Sequence, residues 1–407
     1  MKKLFEWFSY LLIIFIPVSA LLANILEFKF GISTQGAFWF VHWYEPAIVL
    51  FVLGVSIKKI AKRKFNKYDL ILILFLISAI SIFLNDYPLL RGIEGFRLSL
   101  LPLSMLYIAV NLDWEKNTKK RILITYMIVA TLVATWGILE RFLPPGYWSS
   151  WSLLPESLYF GYGDHKVVNF LQSASLLGGP NQFASFLLPA FFIGIHRAIT
   201  EKNKRLLIVV VTAILFLAIV FSFSRSAAIG LITGLSVYPF FALKSKKIKF
   251  IWIFTIFTFL FGGLLFLNQP KYEDLITHGS SQIEHQESLR GSLDEIKNRI
   301  DKPLSLIVGK GLGSSGPLIV KYGDGLIPES WYLQLFFEIG ILGLLVWLLI
   351  IGFILRDLLR INNPYLFVGM ISVLVTSLFL HTWADNPALS YTLLLLAGLS
   401  LSKDEKI

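Results

Sequence analysis

Residues 301–349 read DKPLSLIVGKGLGSSGPLIVKYGDGLIPESWYLQLFFEIGILGLLVWLL, and this stretch decides the fold. Its first part, residues 301–330, is polar and rich in glycine, and it holds too few apolar side chains to build a core of its own. From Trp331 onward the sequence continues with about twenty mostly apolar residues, enough for a helix that crosses the ~30 Å hydrocarbon core of a bilayer. Glu329 lies at the boundary. We therefore expect a polar segment that folds over the mouth of a membrane bundle and places a carboxylate there.

The composition of the whole chain identifies its class. The 407 residues are 56% hydrophobic and 15% charged, and the mean hydropathy is +0.69. A chain this apolar cannot hide its surface from water by folding alone, so we expect an integral membrane protein. The absence of cysteine excludes disulfides, thiolate catalysis and thiolate metal ligands. The six histidines lack the spacing of metal ligands, and we expect neither a metal nor another cofactor.

Apolar segments recur along the chain and predict an all-α, polytopic membrane protein with about 12 transmembrane helices. The predicted spans are Trp7–Leu26, Phe38–Ile57, Asp69–Leu84, Leu90–Val110, Ile122–Leu139, Leu176–Ile195, Leu206–Ser222, Ser226–Leu243, Phe250–Leu267, Trp331–Ile354, Tyr365–Trp383 and Ala388–Leu401. Spans two and four are weaker than the others, and a soluble or an interfacial position is the alternative for them. We expect one membrane domain over residues 1–407, in which residues 268–330 form a long helical loop that caps the bundle between spans nine and ten.

The distribution of basic residues predicts the orientation of these spans. Of the 37 lysines and arginines, 24 fall in the short loops and tails on one side of the membrane. Such loops are cytoplasmic by the positive-inside rule. We therefore expect a multi-pass protein of the cytoplasmic (inner) membrane with both termini in the cytoplasm and the cap outside. The net charge of +11 is then mostly a signal of orientation, and a nucleic-acid partner is not expected.

Arg225 is the most informative charge at membrane depth. It lies in FSFSRSAAIGLITGL, between two apolar runs that have essentially no loop between them. Small residues follow it and allow close helix packing, and a helix that begins here points its free amides outward. Arginine at a helix N-terminus suits an anionic group, and its planar fork suits a diphosphate. The alternative is an arginine that extends to the surface and pairs with lipid headgroups.

Other charges lie at the same predicted face of the membrane. Arg91 and Arg97 begin span four with Glu94 between them. These residues either bind a ligand or form a salt bridge within one helix, because their three-residue spacing brings the side chains together. Arg141 follows span five, where a ligand role and a headgroup anchor are both possible. His165 and His381 could carry protons, although isolated histidines near an interface are usually solvated.

The predicted cap contains HQESLRGSLDEIKNRIDKPLSLIVGKGLGSSG, which indicates an amphipathic helix over residues 286–300 followed by a glycine-rich turn. Arg290 lies near the start of that helix, where it can reach the mouth of the bundle, and Lys310 lies in the turn. The alternative is a solvated helix whose charges are ordinary surface charges. The turn is not a phosphate-binding P-loop, because it lacks the Walker spacing.

Together these motifs resemble the O-antigen ligase and Wzy-type polymerase family of membrane glycosyltransferases. The resemblance covers about Leu176–Leu349 and includes Ser224-Arg225-Ser226, Arg290, DKPLSLIVGKGLGSSG and ESWYLQLFFEIGILGLL. GGPNQF, which contains Asn181, is similar to a G-N-P-N segment that the family often carries. The resemblance implies that a polyprenyl-diphosphate-linked glycan is transferred to a hydroxyl of a lipid, glycan or protein acceptor within membrane lipids, with inversion and without a metal.

The resemblance also implies the site. Arg225, Arg290 and Glu329 would be catalytic, and the substrate-binding residues would be Arg91, Arg97, Arg141, Lys310 and Asn181. Glu329 stands where the family has histidine, and Ser330 stands where it has asparagine. A carboxylate can replace imidazole as a general base or as a group that orients a hydroxyl.

Two functions from other classes remain open at this stage. A transporter or flippase of lipid-linked sugars would also use intramembrane arginines, although the sequence shows no inverted repeat and no matching pair of interrupted helices. A non-catalytic membrane partner in cell-wall assembly is the third possibility.

Overall fold

The fold is known from a computed structural model, which describes residues 1–84, 88–140, 142, 173, 175–243, 245, 249, 252, 291–297, 303–323 and 325–403. Within these ranges the regular structure is helical, and one isolated β-bridge joins Ser315 to Leu326. The prediction of an all-α protein is thus confirmed for this part of the chain.

The helices follow one another along the chain with short connections. The N-terminal half contains α1 (Lys2–Phe28), α2 (Thr34–Val41), α3 (Tyr44–Lys62), α4 (Leu70–Leu84), α5 (Leu89–Ser99), α6 (Leu103–Val110) and α7 (Lys116–Glu140). The C-terminal half contains α8 (Pro180–Thr200), α9 (Arg205–Phe221), α10 (Arg225–Ala242), α11 (Pro303–Val308), α12 (Ile319–Tyr322), α13 (Trp331–Arg360), α14 (Pro364–Thr376), α15 (Thr382–Asp385) and α16 (Pro387–Leu401). Residues 291–297 are also helical.

Several of these helices are long and apolar enough to cross a membrane. By length and composition they are Lys2–Glu27, Lys67–Leu84, Lys116–Glu140, Pro180–Thr200 and Trp331–Arg360. The pair α5 and α6, bent by 58°, makes a sixth candidate if it is one span, and α9, α14 and α16 are shorter apolar helices. The described residues thus form a helical, multi-pass membrane protein with five or six candidate spans. The number twelve stays a prediction, and predicted span nine (Phe250–Leu267) lies outside the described residues apart from Trp252.

Predicted span two differs from the structure. The prediction is one helix over Phe38–Ile57, whereas α2 ends at Val41 and α3 begins at Tyr44. Pro46 lies in the first turn of α3, where its missing N–H removes no intrahelical bond, and this favours a new helix start at that point. Helix α3 then continues to Lys62.

Small residues allow α8, α10 and α14 to pack closely in the core. A Cβ atom added to Gly230 would overlap Thr376 Oγ1, and one added to Gly234 would overlap the Ser372 hydroxyl and the Phe192 ring. The close helix approach expected after Arg225 is therefore present, and it places the start of α10 against the end of α14.

Helix α13 is interrupted at Gly340, whose backbone angles (φ 68°, ψ −174°) are not helical. The interruption frees carbonyl groups that a continuous helix would use. The Lys310 amide donates to the Phe337 carbonyl at 3.0 Å, and the Gly311 amide donates to the Glu338 carbonyl at 2.9 Å. The glycine-rich turn of the cap is thus docked onto the interrupted helix by main-chain hydrogen bonds, which satisfy buried polar groups.

The glycines of this turn are required by its backbone. Gly309, Gly311, Gly313 and Gly316 all have positive φ, between 77° and 102°. Side chains other than hydrogen are strained in that region. The motif GKGLGSSG therefore has a structural explanation in which it shapes the turn that packs on α13.

Glu338 fixes the same turn through its side chain. The carboxylate is fully buried, and its Oε1 accepts from the Gly313 amide at 3.0 Å and from Gln334 Nε2 at 3.3 Å. Its Oε2 accepts from the Ser99 hydroxyl at 3.4 Å. Glu338 therefore links the cap to both α13 and α5.

We expect Glu338→Gln to be tolerated and Glu338→Ala to destabilise the fold. Glutamine keeps an oxygen for the Gly313 amide and an NH₂ group that the Ser99 hydroxyl can accept, so its cost should stay within about 1 kcal/mol. Alanine leaves the Gly313 amide buried without this acceptor, which lowers the free energy of unfolding by about 1–3 kcal/mol. The cavity left by the shorter side chain lowers it further. Thermal unfolding in detergent measures the difference. Equal unfolding temperatures for the two variants would contradict the role given to this carboxylate.

Candidate functional site

The start of α10 carries Arg225. Helix α9 ends at Phe221, and the three-residue turn Ser222-Phe223-Ser224 leads directly into α10, as the sequence predicts. Phe223 adopts a left-handed conformation (φ 51°), and the Ser224 hydroxyl caps the new helix by accepting from the Ala227 amide at 3.3 Å. Arg225 itself is exposed. Its guanidinium therefore lies at the surface, beside a properly capped helix N-terminus.

The start of α8 contacts the start of α10. Helix α8 begins at Pro180, which suits the first helical position, and Asn181 follows in its first turn. The Ser224 hydroxyl donates to Asn181 Oδ1 at 2.6 Å. Asn181 is thus placed next to the residue that precedes Arg225.

The start of α16 joins the same group of contacts. Asn386 caps α16 by accepting from the Leu389 amide at 3.1 Å. Its Nδ2 donates to the Gln182 carbonyl of α8 at 2.7 Å. One asparagine side chain therefore holds two helix starts together.

The start of α13 reaches this group through the end of α14. The Thr376 hydroxyl, which donates to the Ser372 carbonyl at 2.9 Å, also lies 3.3 Å from the Ser226 carbonyl of α10. The Trp331 amide, the first of α13, donates to the carbonyls of Ser377 and Leu380 at 3.0 and 3.2 Å. The neighbours of Arg225 and of Glu329 are thus linked through Thr376, the last residue of α14, and Ser377, which follows it.

We call this arrangement the helix junction. It consists of the starts of α8, α10, α13 and α16 with their capping residues, the last residue of α14 and the residues that follow it, namely Asn181, Gln182, Ser224, Arg225, Trp331, Asn386 and 376–381. Each helix start carries a partial positive charge from the aligned peptide dipoles of its helix. Four such starts and the Arg225 guanidinium at one end of the bundle favour an anionic ligand.

Glu329 lies at the edge of the helix junction beside His381. Both side chains are partly exposed, and Pro328, which precedes Glu329, is buried. His381 Nε2 is 2.8 Å from Asp385 Oδ2, and His381 Nδ1 is 3.3 Å from the Pro328 carbonyl oxygen. The His381 side chain is only 15% exposed, so these contacts are sheltered from water.

The surroundings of His381 favour its charged form. Burial lowers the pKa of this imidazole. The Asp385 carboxylate raises it by charge and by a hydrogen bond, and the Pro328 carbonyl and the Glu329 charge act in the same direction. The net result is a pKa above the usual 6.5, because an imidazolium is stabilised by nearby acceptors and negative charges.

The structure places Arg91 and Arg97 among protein partners. Arg91 is 3% exposed, donates its Nε to the Gly313 carbonyl at 2.8 Å and lies 4.9 Å from the centroid of the Tyr322 ring. Arg97 Nη1 is 3.3 Å from Glu45 Oε1. In this structure Arg91 supports the cap, and Arg97 joins α5 to α3.

The remaining predicted residues divide into two groups. Lys310 Nζ pairs with Glu295 Oε1 at 2.7 Å within the cap, away from the backbone contacts of the helix junction. Glu94 accepts from Lys321 Nζ at 2.6 Å and from the Tyr322 hydroxyl at 3.0 Å. Arg141 and Arg290 lie outside the described residues. Of the predicted site residues, Arg225 and Asn181 therefore lie in the helix junction, and Glu329 lies at its edge.

His381, Asp385 and Asn386 were not predicted to belong to the site. The sequence left His381 as either a proton carrier or a solvated histidine, whereas the structure gives it two partners. The available signal was HTWADNP, in which histidine and aspartate are four residues apart and can meet on one helical turn. The Asn-Pro pair marks the start of α16. Among the described residues, no group of three or more His, Asp or Glu side chains is arranged to hold a metal ion.

Comparison with known proteins adds no family. A scan against models of known protein families finds no match, and a search of curated proteins finds none either.

Proposed function

We propose that this protein is a glycosyltransferase that moves a glycan from a polyprenyl diphosphate to an acceptor hydroxyl at the outer face of the cytoplasmic membrane. The observation that carries the proposal is the position of Arg225 at the capped start of α10, within the helix junction that also contains the start of α13 next to Glu329. The motif resemblance to O-antigen ligases and Wzy-type polymerases supports the same reaction.

In this mechanism the cations receive the leaving group. The acceptor oxygen attacks the anomeric carbon, and the bond from that carbon to the diphosphate oxygen breaks on the opposite face, which inverts the anomeric centre. Negative charge builds on the departing diphosphate. Arg225 and the positive helix starts of the helix junction stabilise it in place. Glu329 orients the acceptor hydroxyl and takes its proton.

The mechanism requires a particular orientation of the chain in the membrane, and the distribution of basic residues favours that orientation. By the positive-inside rule, the 24 lysines and arginines in the short loops and tails favour a cytoplasmic position for both termini. Helices α8, α10, α13 and α16 then begin on the outer side. The helix junction would face the leaflet in which an exported lipid-linked glycan arrives.

The direct test is a transfer assay with purified protein in detergent. The donor is a synthetic polyprenyl-diphosphate oligosaccharide, the acceptor is a second copy of that donor or a lipid A core, and neither nucleotide sugar nor energy source is added. We expect a lengthened or transferred glycan and free polyprenyl diphosphate, both detected by mass spectrometry. The absence of product with both acceptors would overturn the proposal.

A transporter of lipid-linked sugars is the second candidate, because two interrupted helices favour it. Helix α13 breaks at Gly340, and α5 and α6 are bent by 58°. Transporters use such breaks to coordinate a substrate or an ion with the freed backbone groups. Here the carbonyls of Phe337 and Glu338 accept from cap amides, which leaves them less able to bind a ligand. Movement of the donor across sealed vesicles without transfer would support the transporter.

A further inference from the structure

His381 connects two chain segments that meet at the helix junction. It precedes the short helix α15 and contacts Asp385 at the end of that helix, four residues later. Its other ring nitrogen faces the carbonyl of Pro328, the residue directly before Glu329. One imidazole thus bridges the segment after α14 to the segment that carries the proposed base.

The partners of His381 determine which of its two ring nitrogens carry a proton. The Pro328 carbonyl can only accept a hydrogen bond, so Nδ1 must carry a proton. When the Asp385 carboxylate is ionised it can also only accept, so Nε2 then carries a proton as well. The imidazole with two donors is the imidazolium. The raised pKa of His381 agrees with this assignment.

The charged groups around His381 come from few elements. Helices α5, α8, α13 and α16 pack against α15. Asp385 and Glu329 act on the imidazole by charge. The charged side chains of α5 have partners of their own: Arg91 donates to the Gly313 carbonyl, Glu94 accepts from Lys321, and Arg97 pairs with Glu45.

We propose that His381, paired with Asp385, is the residue that positions Glu329 for transfer. It acts in two ways: its hydrogen bond holds the backbone directly before Glu329, and its positive charge attracts the Glu329 carboxylate. The imidazole at the site is therefore supplied by a different position of the chain, His381. The family that the chain resembles has its histidine at the position of Glu329. This inference rests on the proposed glycosyl transfer.

The pH dependence of transfer tests the inference. The imidazolium is fully present below about pH 6.5 and is lost as the pH rises through the raised pKa of His381. The kcat of the wild type should therefore fall as the pH rises through this pKa, and this fall forms the upper limb of the pH profile. Asp385→Asn removes the carboxylate that raises the pKa, so the limb should move to lower pH. His381→Gln should abolish the limb and lower kcat by about 10- to 100-fold, with the donor KM unchanged, because a small misplacement of a reacting group costs about that much.

A titration that needs no activity accompanies the assay. In protein labelled with ¹³C-histidine, the resonance lost in His381→Gln identifies this ring among six histidines. Its midpoint should lie above 6.5 in the wild type and should fall in Asp385→Asn. His196→Gln is the matched control, because His196 Nδ1 pairs with the Tyr238 hydroxyl at 3.2 Å near the other end of α8. It should leave the upper limb and the His381 midpoint unchanged.

The outcomes separate this inference from the proposed function. An inactive wild-type protein would overturn the proposed function and with it the positioning role of His381. An active wild type whose upper limb stays in place in Asp385→Asn would overturn the inference alone. An active His381→Gln variant with wild-type kcat at every pH would do the same, as would a His381 midpoint that does not depend on Asp385.

Discussion

Arg225→Ala is expected to reduce glycan transfer by about 10²- to 10³-fold while the protein stays folded in the membrane. The variant loses one fixed positive charge that stabilises the leaving diphosphate. Removal of a single such group in other enzymes has an effect of this size. Arg225 is exposed at the first position of α10, so its removal leaves no core cavity. Its cost in stability should stay within about 0.5 kcal/mol.

Two further variants make this result specific. Arg225→Lys keeps the charge but loses the planar fork, so transfer should be partly retained. Arg205→Ala is the matched control, because Arg205 is also an exposed first residue of a helix but lies at the opposite end of the bundle, where α9 begins. It should leave transfer unchanged. Equal turnover of Arg225→Ala and wild type, measured by product formation from the lipid-linked donor, would remove the basis of the proposed function.

The fold was predictable where hydropathy alone decides it. Long apolar runs predicted α1, α4, α7, α8 and α13 because a membrane span must be apolar over about 20 residues. The start of α10 was predictable for a local reason: FSFSRSAA holds a capping serine followed by small residues. Shorter helices such as α14 and α16 match predicted spans in position, but their 13 and 15 residues do not by themselves show that they cross.

The interruption of α13 was not predictable from the sequence. Glycine is common in membrane helices, so EIGILG does not distinguish a continuous helix from a broken one. What stabilises the break is a second segment about thirty residues earlier, whose amides replace the lost helical bonds. A non-local pairing of that kind leaves no periodic signal. For the same reason Glu338, inside an apolar run, gave no sign of its contact with Gly313.

The roles of the other basic residues also depend on distant segments. The three-residue spacing of Arg91, Glu94 and Arg97 allows their side chains to meet along one face of a helix. In the structure Glu94 binds Lys321 and Tyr322, which are more than 220 residues away in the chain. Lys310 binds Glu295. Local spacing shows which side chains can meet, whereas the tertiary fold decides which of them do.

Replacement of Gly340 is expected to produce a large loss of stability. In Gly340→Ala the new Cβ would overlap the backbone at the Ile307 carbonyl and at Gly309, and neither can move aside as a flexible side chain could. The backbone angles of Gly340 also lie in a region that only glycine occupies readily. Any other residue there is strained at a cost of about 1–3 kcal/mol. Crowding in a packed core adds about 1–3 kcal/mol.

Together these effects approach the lower end of the 5–15 kcal/mol that stabilises a typical domain, so the cap should detach from α13 or the protein should fail to accumulate. Gly352→Ala is the matched control, since Gly352 lies in the same helix with open space around its Cβ position. Thermal unfolding in detergent should show a large fall for Gly340→Ala and no fall for Gly352→Ala. Proteolysis should cleave residues 303–323 faster in the first variant, because they lose the hydrogen bonds to Phe337 and Glu338. If the two variants unfolded at the same temperature, the docking of the glycine-rich turn on the interrupted helix would be wrong, and with it the positioning of the segment that carries Glu329.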